Sequence, residues 1–526
     1  MRDIIMKKKF KRIFLIVADS FGIGEAPDAS LFGDEGSNTL RSVSGSKCFS
    51  APTLSRLGIF NVDGVNFGNK EKYPSGLYGK AMELSKGKDT VTGHWEMSGI
   101  ISSKPMPTYP DGFPSSLLDR ITEKTGIGWL CNKVYSGTEV IKDYGEEHIR
   151  TGKVIVYTSA DSVFQVAAHE SVLSVEKLYE YCEKAREILS GEHAVGRVIA
   201  RPFTGDYPSF VRDAAFRHDF ALAPPKDTML DLLAAGGFDT PCVGKIYDIF
   251  AGRGVTEKFK SKNNADGMEI TSGIAKSDFT GLCFVNLVDF DSSYGHRNDV
   301  DGYASAISEF DKWLDRFLSR EISEDDLVIV TADHGCDPAT ESTDHSREFV
   351  PVLAYAKGMR PVNLGVLDGF SCIGKTVLDN FGVENDLPGE SFLPCIDRYI
   401  QSDLVAQSDE ARKTAYAPYS GFRVGAALLT DDGKVYRGCN IESASYSPTC
   451  CAERTAVFKA VSEGEKSFRA IAITGGEDSP VRCAPCGVCR QVLSEHCGGQ
   501  LDVIWFDGEK YVTSKLGELL PEAFVL

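Results

Sequence analysis

The stretch Asp326-Leu327-Val328-Ile329-Val330-Thr331-Ala332-Asp333-His334-Gly335 decides the fold of most of this chain. Its short apolar run reads as a buried strand, and the strand ends in an acid and an imidazole side by side. Carboxylate oxygen and neutral imidazole suit divalent transition ions, so this corner predicts a metal site. Two other strand patterns end in the same way. Residues 10–18 (Phe-Lys-Arg-Ile-Phe-Leu-Ile-Val-Ala) are closed by Asp19 and a turn with Gly22 and Gly24. Residues 281–288 lead to Asp289, Asp291 and His296, and His345 lies on the loop after Asp333-His334. Open α/β sheets bind ligands beyond the carboxyl ends of their strands. Three such endings on one sheet predict two ions, roughly 4 Å apart, clamping the attacking and leaving oxygens of a phosphoryl displacement. Each residue also has a plainer use. Asp19 can cap a helix, Gly-x-Gly can be an ordinary turn, and Asp289 and Asp344 compete with Asp291 and His345 as ligands.

Upstream, Gly87-Lys88-Asp89-Thr90-Val91-Thr92-Gly93-His94-Trp95-Glu96 offers hydroxyls in a Gly-flanked turn. A hydroxyl there is a nucleophile if a metal lowers its pKa, and a turn or cap residue otherwise. Residues 104–222 read as an inserted unit in which helical patterns (114–124, 175–190) alternate with strands such as 154–158. Asp161, Arg201 and Arg217 from this unit, with Lys245, supply polar and basic groups suited to a phosphate ester. Any one of them taken singly fits a solvated surface charge.

At 526 residues the chain is too long for one core. The net charge of -18 argues against nucleic acid as a partner. The basic start leads into an apolar run, Ile13 to Ala18, too short for a signal segment, and no stretch approaches a membrane span. A cytoplasmic enzyme of small-molecule substrates is expected. Of the 15 cysteines, Cys450, Cys451, Cys483, Cys486, Cys489 and Cys497 crowd the last quarter. In a cytosolic chain such clustering points to metal.

That last quarter is expected to begin with a helix over residues 398–413, after a boundary near 395–402. A hairpin follows, joined at Asp431-Asp432-Gly433. Its chemistry lies in Cys451-Ala452-Glu453 and Pro485-Cys486-Gly487-Val488-Cys489. A ligand-x-Glu followed by Pro-Cys-x-x-Cys is the zinc deaminase signature in its three-cysteine form. Three thiolates leave zinc a fourth position for water, whose pKa falls toward about 7. Glu453 is placed to shuttle protons, and Arg454 to temper the negative charge of the thiolates. Spacing to Glu453 selects Cys451 over Cys450, and the preceding proline selects Cys486 with Cys489 over Cys483. A structural zinc knot is the alternative, but it would have no use for Glu453.

Two resemblances follow from these motifs. Asp-Ser-Phe-Gly-Ile-Gly-Glu-Ala-Pro-Asp-Ala, Gly-Lys-Asp-Thr-Val-Thr-Gly-His-Trp-Glu, Asn-Leu-Val-Asp-Phe-Asp and Thr-Ala-Asp-His-Gly resemble the phosphopentomutase family, of the alkaline phosphatase superfamily, over about residues 8–395. The resemblance implies interconversion of ribose 1-phosphate and ribose 5-phosphate, or the 2-deoxy forms, with two Mn2+. It implies Asp19, Asp333 and His334 on one ion and Asp291, His296 and His345 on the other. Thr90 aligns with the phosphorylated threonine, and Asp161, Arg201, Arg217 and Lys245 meet substrate. Residues 403–526 are similar to the small tetrameric cytidine deaminases, with Ala-Pro-Tyr-Ser-Gly-Phe-Arg-Val-Gly-Ala-Ala and Gly-Cys-Asn-Ile-Glu-Ser-Ala-Ser-Tyr beside the zinc motif. That resemblance implies one Zn2+, ribose contacts from Asn440 and Glu442, stacking by Phe422 near the base, and a homotetramer. Ser443 stands where the family usually has Asn.

The expected architecture is therefore an alkaline-phosphatase-like α/β core (1–103 and 223–398) with an inserted α/β cap (104–222) and a C-terminal α/β cytidine-deaminase-fold domain (399–526). The expected function is bifunctional pyrimidine nucleoside salvage. The alternatives are a metal-dependent phosphatase or phosphoglycerate-type mutase in the first half, or a first half that is only a scaffold for the deaminase.

Overall fold

The structure is a computed structural model that describes residues 10–159 and 162–524. Its largest sheet has eight strands. In spatial order these are Glu257–Phe259, Pro241–Val243, Gly281–Leu287, Arg12–Ala18, Asp326–Thr331, Val350–Tyr355, Leu77–Met82 and Val362–Asp368. Three central strands run parallel, with Arg12–Ala18 between the other two. All three are buried along their whole length, as strands covered on both faces must be. Arg12 is buried because it forms a two-pronged pair with Asp326, its partner in register (2.8 and 2.7 Å). The acid that opens the deciding stretch is thus structural.

Register does the rest. Ala18 pairs with Leu287 and Val17 with Thr331, so Asp19, the acidic turn after Leu287, and Asp333-His334 leave the sheet at the same edge. After Leu287 the chain makes a five-residue π-helical turn, Phe290–Tyr294, that carries Asp291. Single π turns recur at functional sites because they re-aim side chains. The helix Val300–Arg316 then buries Tyr303, Ile307, Phe310 and Leu314 along one face, at the spacing of an amphipathic helix.

A second sheet is built from Trp129–Val134, Val154–Thr158, Val163–His169, Arg197–Thr204, Val211–Arg212 and His218–Ala221. Helices Ser115–Thr125 and Val175–Ile188 pack on one face, and Glu139–Thr151 on the other, giving two separate apolar clusters. The third sheet has five strands in the order Val435–Cys439, Val424–Thr430, Phe468–Gly475, Asp502–Phe506, Tyr511–Lys515. The expected hairpin is present, with Gly433 at φ 87° in its turn.

The helix expected over 398–413 begins three residues later, at Gln401, and runs to Arg412. The reason is packing at the join. Arg398 forms an isolated β-bridge with Met359, and its guanidinium lies 4.4 Å from the ring centre of Phe10. Tyr399 is buried and donates a 2.8 Å hydrogen bond to Asp502 Oδ2. Residues 397–399 are therefore held by both halves and cannot start a helix. Among the described residues, no helix is long and apolar enough to cross a membrane.

Candidate active sites

The parallel strand ends bring Asp19, Asp333 and His334 together, with ligand-type atoms all within 4.8 Å of one another. Asp291, His334 and His345 make a second such group, so His334 joins the two. His334 Nδ1 lies 3.0 Å from its neighbour's carbonyl oxygen, Gly335 O, which requires the proton on Nδ1 and leaves the Nε2 lone pair free. Nε2 lies 3.3 Å from Asp333 Oδ2 and 3.5 Å from Asp19 Oδ1. Burial pushes the His334 pKa down, which favours the neutral, ligating form. His296 Nδ1 likewise lies 2.6 Å from Thr343 O, but the hydrogen bond to Asp291 pushes the pKa of this ring up to about 11. His296 Nε2 and His345 Nε2 flank Asp291 from different oxygens, at 3.2 and 3.6 Å.

The electrostatics suit a cation. Asp19 Oδ1, Asp333 Oδ2 and Asp291 Oδ1 are buried without a hydrogen-bond partner among the described residues. Burial, then the carboxylates of Asp333 and Asp291, push Asp19 well above the usual carboxyl range. Oxygen lone pairs facing imidazole lone pairs in a dry site are stable only around positive charge, so this donor set fits a pair of divalent ions.

Thr90 is the first residue of the helix Thr90–Met97, whose cap Asp89 accepts from the amides of Val91 and Thr92 at 3.1 Å. Thr90 Oγ1 lies 3.2 Å from His334 Nε2. Thr92 is buried, and its hydroxyl donates to Asp89 Oδ2 at 2.6 Å. Of the two hydroxyls, Thr90's is the one at the cluster. The competing acids are otherwise employed. Asp289 Oδ2 accepts from Asn264 N at the start of the helix Asn264–Ala275 (2.7 Å), and exposed Asp344 pairs with Lys88 at 3.5 Å.

Sequence reasoning missed Asn286 and did not connect His94 with the cluster. Asn286 Nδ2 donates to Asp19 Oδ2 at 2.9 Å. It is the one polar side chain in the run Gly-Leu-Cys-Phe-Val-Asn-Leu, and that was the available signal. His94 lies one turn beyond Thr90, with Nδ1 2.8 Å from Thr90 O and 3.2 Å from Asp333 Oδ2. Its position four residues after the candidate nucleophile was the signal there.

The substrate residues are scattered. Lys245 is exposed and close enough to Asp19 to lower that carboxyl's pKa. Arg201 and Arg217 line a cavity of about 260 Å³ on the second sheet, with Tyr135, Gln165 and Arg197. Arg217 is held there by Asp219 (2.9 and 2.8 Å). Among the described residues no hydrogen bond or ion pair joins either arginine to the Asp19–Asp333 cluster. Asp161 lies outside the described residues.

In the last domain Cys451, Cys486 and Cys489 bring their sulfurs within 4.8 Å of one another. Cys451 caps the helix Ala452–Ser462 and Cys486 caps Gly487–Cys497, so two helix N-termini point their positive ends at the sulfurs. The hydrogen bond from Cys489, with Arg454 adding, pulls Cys451 down to about 5. Arg454 Nη2 lies 3.7 Å from Cys451 Sγ and donates to Thr449 O at 2.9 Å. Three converging thiols with a stabilised thiolate fit a Zn2+ with one open position. Glu453 is buried beside them, and burial, with the charge of Cys451, pushes it up to about 7. Cys450 and Cys483 stand outside the sulfur triad. Asn440 and Glu442 are engaged with the loop that carries Phe422. Asn440 bonds Phe422 O and Val424 N (2.9 and 2.8 Å), and Glu442 accepts from Tyr419 N at 2.9 Å.

Comparison with known proteins gives a family match for each half of the chain. A model of the metalloenzyme superfamily matches residues 227–385, and one of the cytidine and deoxycytidylate deaminase zinc-binding region matches residues 399–502. A phosphopentomutase of Lachnoclostridium phytofermentans is 57% identical over 385 residues, which is 73% of this chain and 98% of the relative. One from Acetivibrio thermocellus is 52% identical over 388 residues, 73% of this chain and 100% of the relative. A crystal structure of cytidine deaminase from Burkholderia pseudomallei shares 45% identity, covering 24% of this chain and 99% of that one, with a TM-score of 0.23.

Proposed function

We propose, for a chain that belongs to the phosphopentomutase family through its first three quarters and carries a cytidine-deaminase-type zinc domain after them, that both sites work in one bifunctional salvage enzyme. The first would interconvert pentose 1-phosphate and 5-phosphate, and the second would deaminate cytidine or deoxycytidine. The observation that carries the mutase reading is Thr90 Oγ1, at a helix start and 3.2 Å from the lone pair of His334. A hydroxyl inside a ligand cluster can hold a phosphoryl group and return it to either sugar oxygen.

Asp19, Asp333 and His334 would hold one Mn2+, and Asp291, His296 and His345 the other. When bound, the ions supply charge neutralisation to a phosphoryl group between them. The protein supplies position. Asp89 fixes the first turn, so that Thr90 Oγ1 faces the cluster. Asn286 holds one oxygen of Asp19 and leaves the other toward His334. The phosphoryl group on Oγ1 passes to the free hydroxyl of the sugar phosphate, whose proton ends on Oγ1 as the Oγ1–P bond breaks, and the other phosphoryl group of the resulting bisphosphate then returns to Oγ1 in exchange for that proton. Lys245 and the Arg201–Arg217 cavity offer cationic charge for the substrate's phosphate. Asp161, a carboxylate, would also meet the substrate, but without supplying cationic charge.

In the deaminase half Cys451, Cys486 and Cys489 would hold Zn2+, which when bound supplies Lewis acidity toward a water. Glu453 takes one proton of the water to the ring nitrogen, then carries the proton of the newly added hydroxyl to the amino group, which leaves as ammonia. A carboxyl pushed to about 7 is suited to carry a proton both ways near neutrality. Phe422, Asn440 and Glu442 surround the nucleoside once the loop they hold engages it. Exposed Tyr446 and Phe524 on this domain support a homotetramer in which neighbouring copies cover that surface.

The test is to give the intact chain ribose 1-phosphate with Mn2+ and follow ribose 5-phosphate and free phosphate together, then cytidine and uridine. Isomerisation without phosphate release, beside uridine formation, is the expected result. Stoichiometric phosphate release would replace the mutase reading with a phosphatase.

A further inference from the structure

The Asp291 corner has a ligand-type neighbour that the two-ion scheme does not use. Asp291, His296 and Cys336 bring one oxygen, one nitrogen and the sulfur within 4.8 Å of one another. Among the described residues Asp291 Oδ1 is buried without a hydrogen-bond partner, and Asp291 as a residue is only 5% exposed. Cys336 is 1% exposed, and its thiol reaches Asp344 O at 3.5 Å and the ring of His296. His296 Nδ1 is committed to Thr343 O, so the ring presents Nε2 to Asp291 Oδ2 and to the sulfur. Across Asp291 the alternative partners are His334 and His345, both nitrogen ligands.

We infer that Cys336 is a conditional metal ligand that lets the Asp291 corner discriminate between hard and thiophilic divalent cations. The inference rests on reading the cluster as a metal site. With Mn2+ or Mg2+ the thiol stays protonated on the Asp344 carbonyl, because hard ions prefer oxygen and imidazole. With Zn2+ or Cd2+ the thiol loses its proton to solvent, and the sulfur bonds the ion beside Asp291 Oδ and His296 Nε2. Such an ion would be held by Asp291, His296 and Cys336, a group to which His334 and His345 do not belong. The chain joins a nitrogen-and-oxygen site to a three-sulfur site that takes zinc, so a thiol at the wrong site sets where zinc competes with manganese.

The test uses the full chain with zinc already in its three-cysteine site. Cd2+ is titrated into wild type, Cys336→Ser and Cys336→Ala, and sulfur-to-metal charge-transfer absorption is read together with displacement of bound Mn2+. Wild type is expected to gain absorption equivalent to one additional thiolate and to prefer Cd2+ over Mn2+ at least about tenfold more than either variant. Retained cytidine deamination and an unchanged melting profile certify the fold. Equal spectra and equal Cd2+-to-Mn2+ preference in all three proteins, with Mn2+ still bound, would overturn the role of Cys336 alone. Failure of wild type to bind either ion at this cluster would overturn the metal-site reading with it.

Discussion

The hydroxyl oxygen of Thr90 and Nε2 of His334 are 3.2 Å apart, although 244 residues separate them in sequence. The contact exists because Asp89 caps one helix and Gly335 O fixes one imidazole. Removing the hydroxyl removes the atom that carries the phosphoryl group in the mutase reading. Thr90→Ala should lower mutase activity by at least about 10³-fold and leave cytidine deamination unchanged. Thr90→Ser should restore activity to within roughly tenfold of wild type, since the hydroxyl returns without the methyl. Steady-state assays of both reactions, with mass spectrometry for a phosphorylated peptide, decide it. Activity in the alanine variant would remove Thr90 from the reaction.

Asn286 offers a test of the ligand cluster from outside it. Its amide holds Asp19 Oδ2, and that hydrogen bond partly offsets the burial that raises the Asp19 carboxyl. Asn286→Leu keeps the volume and removes the donor. Manganese affinity should fall by about 10- to 100-fold, as for other groups that orient a ligand. The pH dependence has a definite sign. Protons compete with metal for Asp19, so affinity weakens as pH falls. Without the amide the carboxyl rises further, and the weakening should begin at higher pH in the variant. Calorimetric Mn2+ titrations at several pH values measure this, and superimposable profiles would count against it.

Glu453 should separate zinc binding from chemistry. It touches the sulfur cluster but is not one of its three converging thiols. Glu453→Gln should keep stoichiometric zinc and lose about 10²- to 10⁴-fold in deamination, the usual range for a positioned acid–base group. Mutase activity should be unaffected. Metal analysis beside cytidine turnover tests both halves of this statement, and loss of zinc from the variant would make Glu453 a structural residue.

The fold was readable where periodicity and strand-end chemistry coincide. Asp19, Asp291 and Asp333 each follow a largely apolar strand, and parallel pairing places the ends of those strands at one edge. Cys451, Cys486 and Cys489 were legible from spacing because helix starts put their sulfurs in one place. What escaped depends on partners far apart in sequence. Asn286 matters only because Asp19 lies on the neighbouring strand, and Cys336 only because a π turn carries Asp291 toward it. The start of the helix at Gln401 escaped for the same reason, since Arg398 and Tyr399 answer to Phe10 and Asp502.

That join carries the last prediction. The Tyr399 hydroxyl donates to Asp502 Oδ2 at 2.8 Å, while Asp502 Oδ1 pairs with Lys515 at 2.7 Å. Arg469 packs over the Tyr399 ring at 5.2 Å and pairs with Asp397 at 3.0 Å. Tyr73 from the first half lies so close to Gly499 and Gly517 that a Cβ on either would stand 2.4 Å from its ring atoms or hydroxyl. The two halves are thus packed together, with no free linker between them. Tyr399→Phe keeps the ring and strips one buried carboxylate oxygen of its donor, which should cost about 1 to 3 kcal/mol. Thermal or urea unfolding should report a lower midpoint for the C-terminal domain, with zinc content and both activities at 25 °C retained. An unchanged midpoint would mean that this hydrogen bond adds nothing to stability.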